Sequence, residues 1–150
     1  SGKVETMKKK EWIVVANSAV ARVLERTSPG GEFTEVASLA HPRSRLHGHE
    51  LEDAGPGHSI AGRANLAPRS DAHEKEHALF AREIARQLRV GAHAHRFDKL
   101  EVFASNPFLG KLLSELDDTV RRQMGASHAL DLTALPPLEL RTRLRSELHI

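Results

Sequence analysis

Trp12 to Ala16 is a short unbroken apolar run in which Ile13, Val14 and Val15 follow one another, the pattern of a strand buried on both faces. Asn17 and Ser18 interrupt it. From Ala19 to Arg26 the chain alternates, with Ala21, Val23 and Glu25 set against Arg22, Leu24 and Arg26. Ser28-Pro29-Gly30-Gly31 then supplies turn chemistry, and Phe33 to Leu39 carries Phe33 and Val36 among β-compatible residues. These three segments predict an antiparallel meander. From His41 to Ser70 the periodicity stops, and Pro42, Gly48, Gly55, Pro56, Gly57, Gly62 and Pro68 recur among four histidines and four arginines. Loops of this length with no structure of their own are usually functional or disordered, so a long flexible loop is predicted over residues 41–70.

Helical spacing begins after that stretch. Asp71 as cap with Glu74 three residues on opens a helix that places Phe80, Ile84 and Leu88 on one face beside Ala81 and Ala85. Leu100 to Ala104 reads as a strand. Asn106 as cap and Pro107 at the first helical position begin a second helix, with Phe108, Leu112, Leu113, Leu116 and Val120 toward the core. His128 to Leu132 offers a short strand, and Pro136 to Leu148 a terminal helix with Leu140, Leu144 and Leu148 four apart. The predicted order is β-β-β-α-β-α-β-α. It describes an α/β domain with a mixed five-stranded sheet and three helices, and fits a ribonuclease H-like architecture.

Composition narrows the setting. A chain of 150 residues closes one core, so residues 7–150 are expected to form a single domain. Ser1 to Thr6 are polar and precede Met7, which reads as a natural start, and are expected to be a tag remnant. Lys8, Lys9 and Lys10 resemble the charged start of a signal peptide, but the apolar stretch from Trp12 to Ala16 is too short to continue one. No run nears the roughly 18 apolar residues of a membrane span. A cytoplasmic protein with no membrane partner is therefore expected. The absence of cysteine excludes disulfides, thiolate metal sites and cysteine nucleophiles. A net charge of +2 identifies no nucleic-acid binder, whereas ten histidines let the surface become more cationic as pH falls.

Three kinds of catalytic chemistry find partial matches among these residues. His73-Glu74-Lys75-Glu76-His77 spells H-E-x-x-H, whose histidines share a helix face for zinc while the glutamate activates its water. A third ligand has to come from Asp98, Glu101, His93 or His95, none at distinctive spacing, and the histidines read equally as an extension of the apolar stripe. Two-metal nuclease chemistry needs carboxylates clamping both ions, yet Trp12 to Val23 holds no Asp or Glu. Asn17 is a neutral substitute there, while Asp98, Glu101 and Asp131 read as strand-edge or solvated charges. Ser59 follows His58 directly, a spacing that rarely sets a hydroxyl against its base. No catalytic residues, metal or cofactor are expected. Gly55 to Arg63 instead reads as a segment whose glycines let backbone amides approach an anion, with Arg43, Arg45, Arg63 and Arg69 available to neutralise phosphates. Arg121, Arg122, Arg141, Arg143 and Arg145 extend the supply of basic charge, and the scarcity of free aromatics argues against a base-stacking platform.

Several of these segments together resemble the host-attachment protein family of bacteria over Glu11 to Leu148. They are Trp12-Ile13-Val14-Val15-Ala16-Asn17, Pro56-Gly57 with Gly62-Arg63, Phe80-Ala81-Arg82-Glu83-Ile84-Ala85, Phe108-Leu109-Gly110-Lys111-Leu112 and Asp131-Leu132-Thr133. The resemblance implies kinship with the central domain of archaeal and eukaryotic peptide-release factors, where the corresponding loop carries Gly-Gly-Gln into the ribosome. Here residues 41–70 contain no glutamine, Gly30-Gly31-Glu32 lies in an earlier turn, and His58 stands where the family usually has an arginine. Peptide release is thus not implied, whereas contact with ribosome or structured RNA is. The expected nucleic-acid-binding residues are Arg43, Arg45, Gly57, His58, Ser59, Gly62 and Arg63. The family name suggests an alternative, a protein-interaction factor supporting attachment to host cells indirectly. A zinc hydrolase using His73, Glu74 and His77 is the minor alternative.

Overall fold

The computed structural model describes residues 9–27, 31–41 and 66–150. Among them, strands β1 (Glu11–Ala16), β2 (Val20–Arg26) and β3 (Thr34–Ala40) lead to helix α1 (Leu66–His93), β4 (Lys99–Ala104), α2 (Phe108–Glu115), α3 (Asp118–Gln123), β5 (Met124–His128) and α4 (Pro137–Leu148). The five strands form one sheet in the order β3-β2-β1-β4-β5. β1 pairs antiparallel with β2 and parallel with β4, β2 pairs antiparallel with β3, and β4 parallel with β5. The meander and the mixed sheet are as the apolar pattern predicts.

β1 is buried at all six positions because it is central in the sheet and covered on both faces. The period of two sends Trp12, Val14 and Ala16 toward a core shared with Phe80, Ile84 and Leu88 of α1, Leu112 of α2 and Val120 of α3. Ile13 and Val15 meet Leu24, Phe33, Phe103, Leu132 and the α4 residues Leu140 and Leu144 on the other face. Three helices thus cover one side and a single helix the other. Trp12 stacks on Phe97 with ring centroids 4.7 Å apart, and Gly91 lets α1 pass this ring: a Cβ there would stand 2.9 Å from Trp12 Cζ3.

Among the described residues four helices replace the expected three. The run from Phe108 to Val120 breaks at Leu116, whose backbone is extended, and Asp117 caps α3 by accepting a 2.9 Å bond from the Val120 amide. Arg121 donates to the carbonyl of Leu116 at 2.9 Å, an oxygen left open by the break, and to that of Leu113 at 3.1 Å, which also accepts the Leu116 amide. The bend lets Leu112, Leu116 and Val120 reach one core. Asn106 is not the cap of α2: Pro107 flanks the first helical residue, Phe108, with no side-chain cap bond.

The last strand lies earlier than predicted, at Met124–His128, because that segment pairs with Leu100, Val102 and Phe103 of β4. Leu130 and Leu132, expected in the strand, instead fill the second core from the connection to α4. Helix α1 begins at Leu66, before the predicted Asp71, so the end of the expected 41–70 loop is helical. Pro68 is compatible with this, since a proline in the first turn removes an amide that has no partner there.

Candidate functional site

Arg43, Arg45, Gly57, His58, Ser59, Gly62 and Arg63 lie outside the described residues, and so do Arg69's side-chain contacts. The structure does show the ground on either side of them. His41, directly after β3, is buried and stacks on Phe80 of α1 with centroids 5.4 Å apart. One to two turns earlier on α1, His73 and His77 stack at 6.3 Å. Lys111 of α2 forms an ion pair with Glu74. Burial pushes the His77 imidazole below its ordinary range; Glu74 opposes this, while His73, Lys111 and His41 add to it. The arrangement is a corner in which three imidazoles and an ammonium share one electrostatic neighbourhood.

That geometry does not assemble the zinc reading. Glu74, the proposed base, is held by Lys111, whose hydrogen bond and charge lower its carboxyl. His93 ends α1 about 24 Å along the axis from His77 at 1.5 Å per residue, and His95 lies beyond that end. Asp98 accepts a 3.0 Å bond from the Lys10 amide beyond that same end. Among the described residues, no group of three His, Cys, Asp or Glu side chains is placed to hold a metal ion.

Two further polar clusters involve residues that the sequence leaves as strand-edge or solvated charges; Asp131 is exposed, whereas Glu101 is not. Glu101 is only 6% exposed. Its carboxylate meets His128 Nε2 at 3.0 Å and accepts the Ala126 amide at 3.2 Å, while the His128 ring stacks on Phe103 at 4.2 Å. The β4/β5 register shifts beside this group, so Gly125 and Ala126 wrap around it: a Cβ on Gly125 would lie 2.4 Å from Glu101 Oε2. Once the strand is placed, its glycine is the usual mark of a bulge or close approach, but the sequence alone does not place that strand.

The second cluster sits where β1 ends. Asn17 Oδ1 accepts the amides of Ala19 at 2.8 Å and Val20 at 2.9 Å, and its Nδ2 donates to Asp131 Oδ2 at 3.1 Å and Thr133 Oγ1 at 3.0 Å. All four of its bonding positions are occupied. Asp131 Oδ1 accepts in turn from Thr133 N at 3.0 Å and Oγ1 at 2.6 Å. Burial alone raises the Asp131 carboxyl, but the bonds from Thr133 and Asn17 together outweigh it and hold it below the usual range. Asn17 is thus a clasp fastening the β5–α4 connection to the central strand, with no capacity left for a ligand.

Among the described residues a depression on α1 is lined by Arg89, Val90, His93 and Ala94, and two grooves lie between α1 and neighbouring elements. One, of about 490 Å³, is lined by Leu39, Ala40, His41, Leu79, Phe80, Glu83 and Gln87, and Leu79 is 56% exposed. The other, of about 310 Å³, lies between α1 and the α2–α3 turn. No helix among the described residues is long and apolar enough to cross a membrane.

Fold and clusters together define an α/β domain with a mixed five-stranded sheet, in which Glu101 and Asn17 serve the structure. A family model described as "Protein required for attachment to host cells" matches residues 12–144, and the chain belongs to that family. A search of curated proteins gives no match.

Proposed function

We propose that the domain is a non-enzymatic binding module of the cytoplasm that contacts the ribosome or structured RNA through residues 41–70. Arg43, Arg45 and Arg63 neutralise phosphates there, and Gly57 and Gly62, beside His58 and Ser59, allow close backbone approach. The observation that carries this reading is the corner of His41, His73, His77 and Lys111, which sets titratable and cationic groups beside the ends of that segment. The meander-first strand order also supports a ribonuclease H-like classification and, through it, the kinship with release-factor central domains. Co-sedimentation of the chain with ribosomes over a salt series tests the reading. Binding should weaken as salt rises and vanish in an Arg43→Ala, Arg45→Ala, Arg63→Ala variant. Binding indifferent to salt, or none at low salt, refutes it.

The family description favours a second reading, a protein-interaction factor acting indirectly in attachment to host cells. The apolar groove with its exposed Leu79 is suited to a protein side chain. Partners that survive nuclease treatment and are lost on Leu79→Asp would favour it over RNA.

A further inference from the structure

Arg82, Arg86, Arg89 and His93 follow one another on α1 at spacings of four, three and four. At 3.6 residues per turn all four fall within about 40° of Arg82, in a line about 16 Å long. The three arginines and Ala85 form one wall of the smaller groove, and Glu115 and Asp117 form the other. The two acids are already engaged. Asp117 caps α3 through Val120 and meets His93 Nε2 at 3.2 Å; the Val120 bond is the main reason its carboxyl lies below the usual range. Glu115 meets Arg82 Nε at 3.4 Å. Arg86 pairs with Glu83 at 2.8 Å, with both side chains largely exposed. Such solvated pairs contribute little and exchange readily for a stronger anion. Arg89 has no ion pair within 4 Å among the described residues.

We infer that this groove is a second contact surface for an RNA backbone, taking neighbouring phosphates on Arg86 and Arg89. The inference rests on the RNA-facing reading above. Guanidinium forks match phosphate oxygens in pairs, and cations repeated about one turn apart suit a polymer that presents charge at regular intervals. The groove's own lining holds no aromatic ring and no apolar side chain larger than Ala85, so it offers no base stacking. The contact is therefore to backbone and independent of base sequence.

The test is fluorescence anisotropy of the full chain with a labelled RNA hairpin over a salt series. It compares Arg86→Ala with Arg89→Ala combined, the matching double lysine variant, and the Arg43, Arg45, Arg63 triple alanine variant. The double alanine variant should bind about tenfold more weakly and lose about two units from the slope of log affinity against log salt. The lysine variant should keep that slope, because charge is preserved, and both double variants should melt like the parent, since Arg86 and Arg89 are exposed. An unchanged slope in the double alanine variant, with binding lost in the triple variant, overturns this surface and leaves the loop reading standing. No hairpin binding by the parent overturns both. Tighter binding of polyglutamate than of the hairpin also overturns the RNA assignment.

Discussion

Replacing Asn17 with alanine removes the clasp between the central strand and the connection leading to α4. Four hydrogen bonds of 2.8–3.1 Å are lost. Each contributes about 0.5–1.5 kcal/mol net, with the lower end applying where a freed group turns to water. The part-buried setting places the expected loss at about 2–3 kcal/mol, or about 5–10 °C in Tm for a domain of this size. Asn17→Asp separates the two halves of the clasp. It keeps an acceptor for the Ala19 and Val20 amides but sets a second carboxylate against Asp131. That variant should be destabilised at neutral pH and regain stability as pH falls, because each carboxylate's charge makes the other easier to protonate. Urea unfolding followed by the fluorescence of Trp12, the only tryptophan, reports both variants. An alanine variant within about 0.5 kcal/mol of the parent would sink the clasp, because losses this small are ordinary for surface substitutions.

Gly91→Ala should cost about 1–3 kcal/mol despite alanine's higher helix propensity. The Trp12 ring 2.9 Å from the new Cβ is pinned by its 2.9 Å bond to Glu25 and its stack on Phe97, and a stabilised variant would contradict that packing. His128→Ala deprives the Glu101 carboxylate of one of its two partners and uncovers Phe103, for a loss of about 2–4 kcal/mol in denaturant unfolding. His128→Gln, which can still donate, should lose less; equal losses would show that the imidazole bond contributes nothing. The His77 imidazole is depressed in the folded state, so as pH falls the unfolded chain takes up that proton first. Its contribution is whole above about pH 6.5 and is lost as pH falls through the folded value. Urea midpoints from pH 7.5 to 5 should therefore decline less in His77→Gln than in the parent.

The residues that carry the family resemblance prove to be mainly packing positions. Phe80, Ala81, Ile84 and Ala85 face the core from α1, and Phe108, Leu109 and Leu112 do so from α2. Such positions repeat with the period of their element, which is why the meander, the main helix and the leucines of α4 could be read from the pattern. The final strand could not. Met124-Gly125-Ala126-Ser127-His128 has neither alternation nor β-branched residues, and its place is set by pairing with β4. Asp117 did carry a capping signal, but the apolar spacing continues across it and masks the break. Glu101 looked solvated because a carboxylate in a strand gives no sign of its partner, and His128 lies 27 positions away. The same distance problem hid Asn17, whose partners Asp131 and Thr133 are more than a hundred residues distant. The loop arginines lie outside the described residues, while the arginines of α1 carry no sequence signal of a site, because α2 and α3 close the groove beside them only in the fold.

The bulge around Glu101 also bears on how the sheet ends. An outermost strand presents a row of free amides and carbonyls, an invitation to another chain to add itself and continue the ladder. Among the described residues β5 is such a strand, yet it is five residues long and its register slips where Gly125 and Ala126 bend around the carboxylate. An incoming strand therefore meets no regular template on that side. A buried acid, fixed in place by a histidine, defends the margin of this sheet against aggregation, a task elsewhere given to an exposed lysine or a proline.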